Sequence, residues 1–125
     1  MNFQNIKNNL KIVISVGDES GIGPEIILKA LSSNELPENI DFTLVGSKKI
    51  KKKNIKKDYS IKIVDTGNYN QTGSRLFQLK KYLQDDIFFM TYGDGLSDVN
   101  LDALLKFHNK NNNIVTMTVV HPPAR

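Results

Sequence analysis

Hydrophobic and polar positions along this chain fall into blocks whose period changes several times. Leu10 to Val16 (Leu-Lys-Ile-Val-Ile-Ser-Val) is rich in β-branched residues and reads as a strand. A glycine-punctuated stretch, Gly17 to Gly23, follows it. Pro24 then suits the first turn of a helix carrying Ile26, Ile27, Leu28, Ala30 and Leu31. Phe42 to Val45 predicts a second strand, and Ile61 to Val64 a third that closes at Asp65-Thr66-Gly67. Thr72, placed as an N-cap, opens a helix with Leu76, Leu79 and Leu83 at helical spacing. The apolar run Ile87 to Met90 predicts a buried strand that stops at Gly93-Asp94-Gly95. Asn100 caps a further helix through Leu101, Leu104, Leu105 and His108, which Asn111-Asn112-Asn113 ends. Ile114 to Val120 alternates β-branched residues and predicts a last strand before Pro122-Pro123. Strands alternating with helices predict an α/β fold with a mostly parallel sheet of about five strands and three helices.

Composition narrows the function classes. The 125 residues make about one small domain, and 39% hydrophobic with 24% charged residues suits a globular protein. No run of 18 apolar residues occurs, so no membrane partner is expected. The amino end is polar and Asn-rich without an apolar signal core, which predicts a cytoplasmic location. With no cysteine, disulfides and thiolate metal sites are excluded, and two histidines are too few for a histidine cage. The net charge of +4 is unevenly placed, because seven lysines fall between Lys48 and Lys57. Such a run is a nucleic-acid signal in principle. No arginine or aromatic residue interrupts it, which favours a solvated linker and argues against nucleic acid.

The candidate chemistry lies at two strand ends. Asp94 stands between two glycines at the carboxyl end of a strand, the place where α/β folds keep ligands and metals. The glycines allow a phosphate to approach the backbone, and Asp94 offers Mg²⁺ a hard oxygen ligand. The same three residues also make an ordinary strand-to-helix turn. The loop after the first strand reads as structural: Asp18 and Glu19 are acidic, no Lys or Arg accompanies them, and neither GxGxxG nor a Walker loop is present.

Gly17-Asp18-Glu19-Ser20-Gly21-Ile22-Gly23-Pro24-Glu25-Ile26 resembles the amino-terminal signature of 4-hydroxythreonine-4-phosphate dehydrogenase, with Glu19-Ser20 where that family usually has Pro-Ala. The likeness runs from about Lys11 to Leu44-Val45-Gly46. It implies shared ancestry with an NAD-dependent metalloenzyme whose metal-binding histidines have no counterpart here. The second half is similar to glucose-1-phosphate cytidylyltransferase, of the sugar nucleotidyltransferase superfamily. The residues that carry this are Val64-Asp65-Thr66-Gly67, Thr72-Gly73-Ser74-Arg75-Leu76, Thr91-Tyr92-Gly93-Asp94-Gly95-Leu96-Ser97-Asp98-Val99, Phe107-His108 and Val120-His121-Pro122-Pro123-Ala124-Arg125. The family pattern has a second Gly where Ser74 stands.

The second resemblance implies that Thr72 and Arg75 help hold nucleotide and sugar, Gly93 faces the substrate and Asp94 binds Mg²⁺. It implies CTP and glucose 1-phosphate as substrates and CDP-glucose with pyrophosphate as products. Such an enzyme needs a Gly-rich triphosphate loop bearing Arg and Lys, a strand-end aspartate and a second metal carboxylate, and only the aspartate is evident. Asp98 reads first as a helix N-terminal residue and second as that other ligand. The expected organisation is a βαβ fragment over 1–50, a lysine-rich junction over 51–59 and a partial nucleotidyltransferase domain over 60–125, a chimera of two truncated segments. The alternatives are a dehydrogenase fragment and a non-catalytic basic binding module.

Overall fold

Four strands make one parallel sheet. They are β1 (Leu10–Ser15), β2 (Ile40–Gly46), β3 (Ser60–Asp65) and β4 (Phe88–Tyr92), in the order β3-β2-β1-β4. The computed structural model describes residues 10–18, 20–33, 35–36, 40–46, 60–67, 69–83, 87–95 and 97–121. Helix α1 (Gly23–Ser32) joins β1 to β2, and helix α2 (Thr72–Gln78), with a 3-10 turn at Lys80–Tyr82, joins β3 to β4. Helix α3 (Leu101–Asn111) belongs to a second unit, made of the residues after Gly95.

Strand register sorts the side chains. Val13 lies beside Met90 and Thr43, and Val45 beside Ser15 and Val64. One face of the sheet therefore carries Val13, Val45, Val64, Phe88 and Met90. Leu79, Leu76, Tyr82 and Leu83 pack there, with Val13, Val45 and Leu79 fully buried. Ile12, Phe42, Leu44 and Ile61 share the opposite face by the same alternation. Ile27 and Leu31 of α1 are buried, and Ile27 reaches the end of β4 at Gly93. On α1, a hydrogen bond from Lys29 holds the Glu25 carboxyl below its ordinary value, across 2.8 Å.

The sheet draws its central strands from before the lysine run and its edge strands from after it. On one face the two pairs share a core, because Leu79 of the later segment packs on Val13 and Val45 of the earlier one. Leu79→Ala is expected to cost about 2–5 kcal/mol, the range for a fully buried leucine. Its amide exchange should rise in β1 and β2 as well as in β3 and β4. Protection kept in β1 alone would mean two independently folding pieces.

Four expectations change. Ile87 to Met90 is not a buried strand: Ile87 precedes β4 and is exposed, and Phe88, Phe89 and Met90 are half-buried because β4 is an edge strand. Ile114 to Val120 forms no strand: Ile114, Val115, Met117, Val119 and Val120 are exposed. β-Propensity expresses a fit to neighbouring strands, and none pairs with these residues within their unit. The sheet accordingly has four strands. Thr72 is the first residue of α2, not its N-cap; Gln71 holds that position without a side-chain bond. Asn70 anchors the turn instead, as described below. The same helix stops at Gln78, where Leu79 N–H bonds Leu76 O and the chain tightens into the 3-10 turn. The cap of α3 is as expected: Asn100 Oδ1 accepts from Ala103 N at 3.0 Å, and Asn112 closes the helix at φ 50. The lysine run, Glu19 and Pro122-Pro123 lie outside the described residues.

Candidate functional site

Parallel strands bring all four carboxyl ends to one edge of the sheet. The chain winds from β1 to β2 in one direction and from β3 to β4 in the other. Between β1 and β4 the winding reverses, and open α/β sheets bind ligands at such a point.

Asp94 sits there. Gly93 N–H donates to Ser15 O at 2.8 Å, extending the β1–β4 ladder past Tyr92, and Gly95 N–H donates to Tyr92 O at 3.3 Å to close the turn. Asp94 is exposed at its tip, whereas Gly93 is buried. A Cβ on Gly93 would lie 2.7 Å from Ile27 Cδ1 and 3.3 Å from Val16 O. One on Gly23 would lie 2.5 Å from the same Val16 carbonyl. Two glycines thus flank one carbonyl, and α1 seats against the strand ends through that gap. In the loop between, Gly17 takes φ +77, and Asp18 accepts Ser20 N–H at 2.9 Å through its carboxylate and Gly21 N–H at 3.1 Å through its carbonyl. These bonds turn the loop on itself, and its one described carboxylate faces any incoming anion with like charge.

The second cluster lies at the end of β3. Thr66, 2% exposed, donates its N–H to Gly46 O. Asn70 Nδ2 donates to Thr66 O, Ser74 Oγ donates to Asn70 Oδ1 at 3.2 Å, and Arg75 Nε donates to Asn70 O at 2.8 Å. The hydroxyl of Ser74, where the family pattern has glycine, is thus spent within the turn. Arg75 is 8% exposed. Its Nη1 and the Thr66 hydroxyl are buried with no hydrogen-bond partner. Buried polar groups are nearly always satisfied, so each of these two donors is a candidate partner for an acceptor oxygen. Thr72 stands half-buried at the start of α2.

The four residues expected to form the site come from two connections of the sheet. Thr72 and Arg75 follow β3, Gly93 and Asp94 follow β4, and β2 and β1 lie between. Three strand spacings, about 14 Å, separate the ends of β3 and β4 themselves. Thr72 and Arg75 lie on α2, which packs through Leu76 and Leu79 over Val13 and Val45 of the strands between. Among the described residues no group of three or more acidic, histidine or cysteine side chains could hold a metal ion. Mg²⁺ needs only one or two carboxylates when substrate phosphates complete its shell, so Asp94 fits that ion together with phosphate and not alone. Asp98 is exposed ahead of α3, whose cap is Asn100. Thr66 and Asn70 were not legible as site residues; the signal for Thr66 is a hydroxyl directly after a parallel strand.

The comparisons with known proteins give partial matches of two kinds. The glucose-1-phosphate cytidylyltransferase of Salmonella typhimurium is 38% identical over 68 residues, 54% of this chain and 26% of the relative. A putative D-threonate 4-phosphate dehydrogenase of Fusobacterium nucleatum is 36% identical over 67 residues, 49% of this chain and 20% of that protein. A 4-hydroxythreonine-4-phosphate dehydrogenase of Nostoc is 45% identical over 40 residues, 32% of this chain and 11% of that protein. The chain spans about a quarter or less of the length of these relatives. No family model matches the chain, and no solved structure does. Over about half its length, then, it is similar to a cytidylyltransferase, and over about a third to a half to dehydrogenases. Among the described residues no helix is long and apolar enough to cross a membrane.

Proposed function

We propose that the carboxyl edge of this sheet binds CTP and glucose 1-phosphate in the manner of a sugar nucleotidyltransferase. The observation that carries this reading is buried Arg75, whose Nη1 has no hydrogen-bond partner; nor has the buried Thr66 hydroxyl, and Asn70 links the two residues. A charged donor left unsatisfied costs more than the about 1–3 kcal/mol of a neutral one, and an anionic oxygen offsets that cost. In the reaction, an oxygen of the sugar phosphate bonds to the α-phosphorus of CTP. The bond from that phosphorus to the bridging oxygen breaks, and pyrophosphate leaves. Arg75, with Thr66 and Thr72, holds acceptor oxygens at the β3 end. Asp94 at the β4 end would hold Mg²⁺ beside the phosphates, where the ion neutralises charge. The separation of the two ends suits an extended pair of substrates. Where a nucleotidyltransferase needs cationic side chains around the triphosphate, this chain has the Asp18 loop, so binding is expected to outlast turnover.

Calorimetric titration of CTP with Mg²⁺, paired with a pyrophosphate-release assay, tests the reading. Arg75→Met keeps the length and loses the charge, and should weaken CTP binding about 10- to 100-fold. Equal affinity in a folded Arg75→Met protein sinks it. The dehydrogenase relatives favour a second reading, in which NAD would bind at the β1 loop. That loop presents no cationic donor, and titration with NAD is expected to give no heat.

A further inference from the structure

The segment after α3 has a pattern that the nucleotide site does not use. Ile114 to Val120 reads Ile-Val-Thr-Met-Thr-Val-Val, and its sequence is nearly palindromic about Met117. Laid antiparallel on a second copy of itself, Met117 faces Met117, Thr116 faces Thr118, Val115 faces Val119 and Ile114 faces Val120. Pairs of β-branched residues and Thr–Thr pairs stabilise antiparallel strands when directly opposite. No charged residue occurs from Asn111 to Val120, so nothing in the segment repels a copy. The side chains are available: Ile114 is 98% exposed, Met117 76%, Val119 81% and Val120 86%. Thr116 is the half-buried exception, held by His108 Nδ1 of α3 at 2.9 Å, so the segment is anchored to its helix.

We propose that Ile114 to Val120 of two copies pair antiparallel about a two-fold axis through Met117, making this chain a reversible homodimer. A two-fold interface requires a patch complementary to itself, and the palindrome supplies one. Two strands paired edge to edge cover their apolar side chains only where neighbours touch, so the interface falls well below the about 1,200 Å² of standard interfaces. Association is therefore weak and concentration-dependent.

Light scattering on the 125-residue chain over a hundredfold concentration range should show the mass rising from 14.1 kDa towards twice that value. Met117→Lys sets two ammonium groups against each other on the axis. It should weaken dimerisation at least tenfold with an unchanged circular dichroism spectrum. Because the chain has no cysteine, Met117→Cys places one thiol at the axis. Oxidised glutathione should convert two such thiols to an intermolecular disulfide, releasing two reduced glutathiones. Ile114→Cys, whose mate lies about 20 Å away along the ribbon, should not cross-link. A constant monomer mass, equal cross-linking at 114 and 117, or growth past the dimer through pairing onto another strand edge would each overturn the proposal.

Discussion

Gly23→Ala is expected to remove a large part of the stability of the sheet. The new Cβ would stand 2.5 Å from the Val16 carbonyl oxygen, a backbone atom that no side-chain rotation can move. That carbonyl is fixed from three sides. Val16 N–H bonds Val45 O at 3.0 Å, Gly93 N–H bonds Ser15 O at 2.8 Å, and Gly93 itself comes to within 3.9 Å of the new Cβ. The clash can be relieved by lifting α1 off the strand ends, which exposes Ile27, or by breaking ladder bonds worth about 0.5–1.5 kcal/mol each. Overpacking alone costs about 1–3 kcal/mol, and alanine in a helix returns up to about 1 kcal/mol. The net loss is about 2–4 kcal/mol, against a total of about 5–15 kcal/mol for a typical domain. A urea titration measures it directly, and an unchanged midpoint would show that α1 does not seat there. Gly93→Ala makes the instructive contrast. It meets the tip of the Ile27 side chain, so the loss should be smaller, and adding Ile27→Val should restore much of it.

Much of this architecture was legible along the chain, for reasons that differ from element to element. β1 and α1 were readable because each combines a clear period with a local punctuation mark, Gly17 in one case and Pro24 in the other. The Asn100 cap was readable because capping is a contact across three residues. Ile114 to Val120 misled because strand propensity needs a partner, and a partner is a tertiary fact. The Thr72 cap misled because Asn70, five residues before Arg75, ties that turn to Thr66 through bonds no periodicity shows. Strand order was hidden for the same reason: it follows from crossovers, and β3 and β4, consecutive in the chain, end on opposite sides of β2 and β1. A short motif is legible along the chain, and the strand order that sets one motif against another is not.

Asp94→Asn should change the Mg²⁺ dependence of nucleotide binding in sign as well as size. Asp94 is exposed at the tip of a turn, and asparagine is as good a turn residue, so stability should move by less than about 0.5 kcal/mol. Among the described residues no group of three or more acidic, histidine or cysteine side chains could hold the ion, so Mg²⁺ at Asp94 reaches full coordination only with phosphate oxygens. Mg²⁺ alone should therefore leave the melting temperature of the wild-type chain unchanged. Mg²⁺ with CTP at about 100 times its dissociation constant should add about 2.7 kcal/mol. In Asp94→Asn the bridge from carboxylate through metal to phosphate is gone, and CTP affinity with Mg²⁺ should fall about 10- to 100-fold, or about 1.4–2.7 kcal/mol. With the metal chelated the order reverses. The wild-type carboxylate then repels the triphosphate, and the neutral amide should bind CTP slightly better. A turn with no ligand role predicts equal affinities under both conditions. A site that recognises the nucleotide through hydrogen bonds to Asp94 predicts a loss in both. Only metal bridging predicts a crossing, so two titrations of each protein decide what the aspartate between two glycines does.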